Sequence, residues 1–143
     1  MLMDIGDKLR ELWSSRWWVG EQYVSVYRDR VSPEAVDRAM RRVAEVFDPE
    51  WARGVGNHPY VQWLLPTGLM ILQFLYGIGD DLLVLEGSLR LDRVIDDLRL
   101  PVSCESARLT LEIAAVLKRS GHDIEFDPPL PNRMVFGLRT GKE

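Results

Sequence analysis

Cysteine is almost absent. Cys104 stands alone, so no disulfide can form within the chain, and with only His58 and His122 beside it no Cys/His set has zinc-binding spacing. A lone thiol suits a reducing compartment, and a cytoplasmic protein is expected. An excess of positive charge is also missing. The 18 Lys and Arg against 22 Asp and Glu leave a formal net charge of -4 and a pI near 5.2, without the basic balance of a dedicated nucleic-acid binder. Asp4, Asp7 and Glu11 interrupt the first residues, which therefore lack the basic start and apolar core of a secretory signal. Residues 54–79 carry no Asp, Glu, Lys or Arg, but Asn57, Pro59, Gln62, Pro66 and Gln73 punctuate them. Their apolar centre, residues 69–78, falls short of the roughly 20 residues a spanning helix needs, so a buried core helix is expected and no membrane partner. No phosphate loop, dinucleotide fingerprint or nucleophile elbow occurs.

What is present is a globular composition, 46% hydrophobic and 28% charged, on a chain of 143 residues. That length suits a single domain, residues 1–143. Its first part, residues 1–100, reads as mostly helical. In residues 3–18, Ile5, Leu9, Leu12 and Trp13 recur at helical spacing. Tyr23 to Tyr27 fits strand or helix. Ser32, Pro33 and Glu34 form a helix start, serine as cap and proline in the first turn. Val36, Met40, Val43 and Phe47 carry that helix to Asp48 and Pro49, which end it. Residues 51–65 read as a loop and a short helix. A further helix over 69–77 should break at Gly77 and Gly79, and another is expected over 89–98, capped by Ser88. About four helices are expected in this region.

Residues 101–143 change character. The spacing predicts a helix over 106–120, apolar on most of its circumference, with Arg108, Glu112 and Arg119 as its polar stripe. Such a helix belongs at the centre of a fold. Gly121 stops it. His122 to Asp127 then alternates, Ile124 and Phe126 to one side and Asp123, Glu125 and Asp127 to the other, as in a half-buried strand. Residues 128–132 connect to a second strand over 134–138, and residues 140–142 start another turn. The fold class is therefore α+β: a mostly helical N-terminal region, a central helix and a C-terminal β-hairpin. A lone hairpin is marginal in water, and its outer edge invites pairing. The chain continues beyond Glu143, or another chain supplies a strand, or an earlier segment such as residues 23–27 completes the sheet.

Residues 106–126 carry a pattern met elsewhere. Ser106 and Ala107, then Leu111 to Ala115 around Glu112, then Lys118 to Phe126 through Gly121, resemble the opening of PD-(D/E)xK, restriction-endonuclease-like proteins. The resemblance covers about residues 104–139. It implies a degenerate or truncated nuclease-like protein acting on nucleic acid, its core incomplete and without catalysis in this chain, with magnesium or manganese as the family's cofactor and Glu112, or less directly Glu105, as the helix carboxylate. Such a metal activates water and stabilises developing charge. The chain departs from the pattern at the strand aspartate, where Asn132 stands beside Arg133, and a Glu-x-Lys strand is not present before Lys142 and Glu143. No complete catalytic set is found, so no catalytic, cofactor-binding or metal residue is assigned, Glu112 being the candidate.

Each striking residue also has an ordinary explanation. Glu112 lies four residues after Arg108, as in a helical ion pair. Arg38, Arg41 and Arg42 stand three or four residues from Glu34, Asp37 and Glu45, as on a solvated face. Asp80, Asp81, Asp92, Asp96 and Asp97 lack the spacing of a calcium loop. Cys104 has no histidine near it in sequence to activate it, and His58 beside Pro59 reads as a loop residue. Five tryptophans, Trp13, Trp17, Trp18, Trp51 and Trp63, suit a core, and exposed aromatics suit a binding surface. The alternative function is thus a non-catalytic interaction module that engages a protein partner or forms a homo-oligomer through the hairpin edge or the tryptophan cluster.

Overall fold

The computed structural model describes residues 4–126 and, for its last strand, the backbone of residues 138–142. The fold is mostly helical α+β. Its elements are α1 (Ile5–Ser15), a 3-10 turn (Trp17–Val19), α2 (Glu21–Tyr27), α3 (Pro33–Val46), α4 (Pro49–Val55), α5 (Pro59–Leu64), α6 (Leu69–Val84), α7 (Leu91–Leu98), α8 (Cys104–Arg119), β1 (His122–Phe126) and β2 (Leu138–Lys142). The chain divides into two compact units, Met1–Gly79 and Asp80–Glu143. Among the described residues no helix is long and apolar enough to cross a membrane.

In the first unit the cap expected at Ser32 forms, and Asp4 and Asp48 provide two more. The side chains of Asp4, Ser32 and Asp48 accept hydrogen bonds from the backbone N–H groups of Asp7, Ala35 and Trp51, opening α1, α3 and α4. Proline in the first turn of α3 and α4 costs no hydrogen bond. Val36, Met40, Val43 and Val46 turn one face of α3 inward. Two expectations are corrected here. Residues 23–27 are helical, in α2, and so cannot complete a sheet. Asp48 and Pro49 end α3 but begin α4 at once, so residues 51–55 are helix, and the described part of residues 1–100 holds seven α-helices where about four were expected.

Gly77 and Gly79 do not break α6, a third correction. Gly79 is buried against α3, where a Cβ would overlap the backbone carbonyl of Ala39. Glycine here permits two helices to approach closely, and the intrahelical hydrogen bonds survive because neither residue needs a non-helical φ. Gly77 is exposed, with nothing near its missing Cβ.

The aromatic residues fill this unit. Trp18 is 1% exposed and its ring meets those of Trp13 and Trp17 edge-on at 6.1 and 6.2 Å. Trp13 Nε1 donates to the Phe47 carbonyl at 3.0 Å, and Trp18 Nε1 to Asp37 at 2.9 Å. Asp37 also accepts from Arg16 and Arg41 at 3.0 and 2.8 Å. Partial burial works against its charge. The hydrogen bonds from Arg41, Trp18 and Arg16 outweigh it and hold the carboxyl at about 2. His58 lies in the connection before α5, as the sequence suggests, and is fully buried. Its Nδ1 accepts from the Tyr60 N–H at 3.2 Å and caps α5, with Phe47, Trp51 and Tyr60 around the ring.

In the second unit α8 lies against α7 and β1. Leu91, Val94 and Leu98 of α7 face inward with Ala107, Leu111, Ala114 and Ala115 of α8. β1 and β2 pair antiparallel, from His122 opposite Lys142 to Phe126 opposite Leu138. Ile124 and Phe126 are buried as the alternation predicts. Residues 140–142 are strand, not the start of a turn; residues 134–137 lie outside the described set, as do Asn132 and Arg133. The other edge of β1 is bridged at its C-terminal end. Leu89 bridges to Glu125, the Phe126 N–H donates to the Leu89 carbonyl at 2.9 Å, and Arg90 Nε donates to the Phe126 carbonyl at 2.7 Å while its guanidinium pairs with Glu125. Arg90 adopts φ 62 to do so and, as the N-cap position, starts α7 later than Ser88 suggests.

The two glycines of α6 predict opposite outcomes in urea denaturation. Gly79→Ala should destabilise by about 1–3 kcal/mol through overpacking against α3. Gly77→Ala should stabilise by about 0.5–1 kcal/mol, since alanine costs less chain entropy. Equal stabilisation by both would contradict the close approach of α6 to α3.

Candidate functional site

The residues singled out for chemistry in the second unit come from α6 and α8. Asp80 and Asp81 stand near the end of α6, and Arg119 closes α8. The Arg119 fork reaches both carboxylates, Asp80 at 2.7 Å and Asp81 at 3.3 Å. A guanidinium presents parallel N–H donors, so one residue bridges two acids. Asp81 is the more enclosed of the two, its side chain 16% exposed against 42% for Asp80. Burial pushes the Asp81 carboxyl up to about 6; Arg119 opposes this, and the neighbouring charges of Asp80 and Glu112 add to it.

Glu112 lies one side of this group but is engaged along its own helix. Arg108 reaches Glu112 at 3.3 Å and Glu105 at 3.2 Å. Both carboxylates are more than half exposed. Among the described residues no three His, Cys, Asp or Glu side chains converge as a metal site would require. Arg119 holds the position between Asp80 and Asp81 where a cation would be attracted. Asp92, Asp96 and Asp97 are exposed on α7. Cys104 is buried, with Sγ 3.5 Å from the Pro101 carbonyl. On α3, Arg41 pairs with Asp37 and Arg42 with Glu45. The chemistry available in this cluster is therefore proton binding and ion pairing.

The outward face of α8 is different in kind. Leu109, Ile113 and Val116 are 48, 48 and 56% exposed. Their spacing of four and three residues places them on one stripe. Leu100 and Val102, also exposed, precede the helix. The expectation of a helix buried on most sides is corrected: α8 buries one face against α7 and β1 and presents a second apolar face outward. Apolarity around the circumference could not reveal this, because a buried helix and a partner-facing one carry the same composition. Glu105 in the first turn of α8 pairs with Arg108, Lys118 in its last turn with Asp123, and Arg119 with Asp80 and Asp81, so these end charges are engaged within the unit.

Of the tryptophans, Trp18 is buried in the first unit, and Trp13 and Trp17 are half-buried against it. Trp63 is 48% exposed, with its ring against Tyr60 and Phe74 at 5.6 and 5.9 Å. The pairing of Asp81 with Arg119 was not legible in the sequence, where 38 positions separate them. A doublet of acids on an apolar helix was its one signal.

No family model, no curated protein and no solved structure matches this chain.

The raised carboxyl of Asp81 sets a pH dependence. Between about pH 4 and 6 the folded chain keeps a proton that the unfolded chain has released, so this group's contribution falls as pH rises through that window. Asp81→Asn should remove that share and flatten the stability–pH curve there, by about 1–3 kcal/mol across the window. Denaturation at a series of pH values reads it directly; an unchanged slope would show that another group carries the proton.

Proposed function

We propose that this chain is a non-catalytic interaction domain that self-associates through the outward face of α8. The stripe of Leu109, Ile113 and Val116 carries the reading. Single exposed apolar residues are ordinary, but a contiguous row on a well-formed helix is the pattern of an amphipathic contact face. A second copy is the occupant the stripe suits, because the row is self-complementary: in an antiparallel pairing, Leu109 of one copy meets Val116 of the other near Ile113. Antiparallel helix dipoles favour the same arrangement.

The area available is small, which places the contact among weak, transient interfaces. Support for a nuclease-like role would have to come from Glu112, and its pairing with Arg108 accounts for its position without one. The open outer edge of β2, unpaired among the described residues, offers a second contact but lacks the stripe's apolar surface.

Sedimentation velocity over a concentration series tests the proposal. The chain should shift from monomer toward dimer at high micromolar concentration. Ile113→Glu should keep it monomeric while leaving thermal stability within about 0.5 kcal/mol, as for other exposed positions. A monomer at all concentrations, or a dimer that Ile113→Glu leaves intact, would remove α8 as the contact.

A further inference from the structure

A cavity of about 160 Å³ lies in the first unit between α2, the start of α3 and the first turns of α6. Val26, Tyr27, Val36, Leu72 and Tyr76 contribute its apolar walls, and Arg30 stands on its lining. Three observations bear on what it could hold. Its volume matches that of an apolar protein cavity of roughly 150 Å³ that accepts benzene. The Tyr27 hydroxyl is engaged away from it, donating to the Trp18 carbonyl at 2.9 Å. The Arg30 guanidinium is exposed and makes no ion pair or side-chain hydrogen bond among the described residues; Arg28 and Arg38 of the same unit are alike in this, but of the three only Arg30 stands on the cavity lining. Val26, at the same place, is 47% exposed, so the cavity is open to ligand.

We propose that this cavity binds a small monocarboxylate with a ring-sized apolar group, such as an aryl acetate, with the ring between Tyr27, Leu72 and Tyr76 and the carboxylate on Arg30. The apolar walls recognise the ring by displacing water from it, and supply no orientation by themselves. Arg30 supplies orientation, because a guanidinium fork matches a carboxylate with two parallel N–H donors. The exposed amide of Gln73, also on the lining, suits the second carboxylate oxygen. A neutral ring compound of the same size fits the walls but leaves Arg30 unused, and a longer chain exceeds the volume. The site lies wholly in the first unit and is independent of any contact through α8.

Titration of the ¹⁵N-labelled full chain with phenylacetate and with benzyl alcohol tests the site. Phenylacetate should shift the resonances of Tyr27, Leu72 and Tyr76 and bind more tightly than the alcohol. Arg30→Gln should weaken phenylacetate by up to about five-fold, the size expected of one exposed ion pair, and leave the alcohol unchanged. Val26→Trp, a change at an exposed position that places a ring over the mouth, should abolish binding of both while the amide spectrum stays dispersed. No shift at those residues at millimolar phenylacetate would overturn the proposal, as would equal affinity of phenylacetate for the parent chain and Arg30→Gln.

Discussion

Helix α8 has apolar side chains on two faces, and its own unit covers one of them. Ala107, Leu111, Ala114 and Ala115 lie buried, and the rest of the second unit is arranged on that face: α7 packs its inward leucines and valine there, and β1 sets Ile124 and Phe126. Alanines on a buried face let partners approach closely, so a unit with one two-stranded sheet can still enclose a core. The strand pair by itself would be marginal. It is held by the helix under it and by Leu89 and Arg90 along its inner edge, where a backbone bridge and a charge-assisted hydrogen bond fix β1 in place. Leu109, Ile113 and Val116, on the other face, remain about half exposed.

The first unit solves a different problem, the placement of large aromatic side chains. Indole N–H groups in a core need acceptors. Trp13 finds the carbonyl that ends α3, and Trp18 finds Asp37. Asp37 in turn gathers Arg16 and Arg41, so one carboxylate ties the turn after α1 to α3. His58 does the same by another route, giving its ring to an aromatic cluster and its Nδ1 to the N-terminus of α5. These rings are used in building the unit.

Local rules made much of this legible. Serine and proline marked the start of α3, and alternation marked β1, because caps and pleats depend on residues a few positions apart. Three things were not legible, each for a physical reason. Gly77 and Gly79 read as a break because a helix-breaking residue and a close-packing residue are the same residue; only the position of α3 separates the cases. Glu112 matched a nuclease-like helix carboxylate, while the pairing of Asp81 with Arg119 beside it went unread, since ion pairs across 38 positions leave no local trace. The second apolar face of α8 looked like core because hydrophobic pattern counts faces and does not say what lies against them.

Self-association through α8 is tested most directly by placing a thiol at the centre of the stripe. Ile113→Cys, oxidised under mild conditions, should form a covalent dimer efficiently, because a two-fold antiparallel contact brings the two copies of that position together. Asp92→Cys, exposed on α7 away from the stripe, should not. Buried Cys104 contributes no background. Selective crosslinking at residue 113 is the predicted result; absent crosslinking there, or equal crosslinking at both positions, would contradict it.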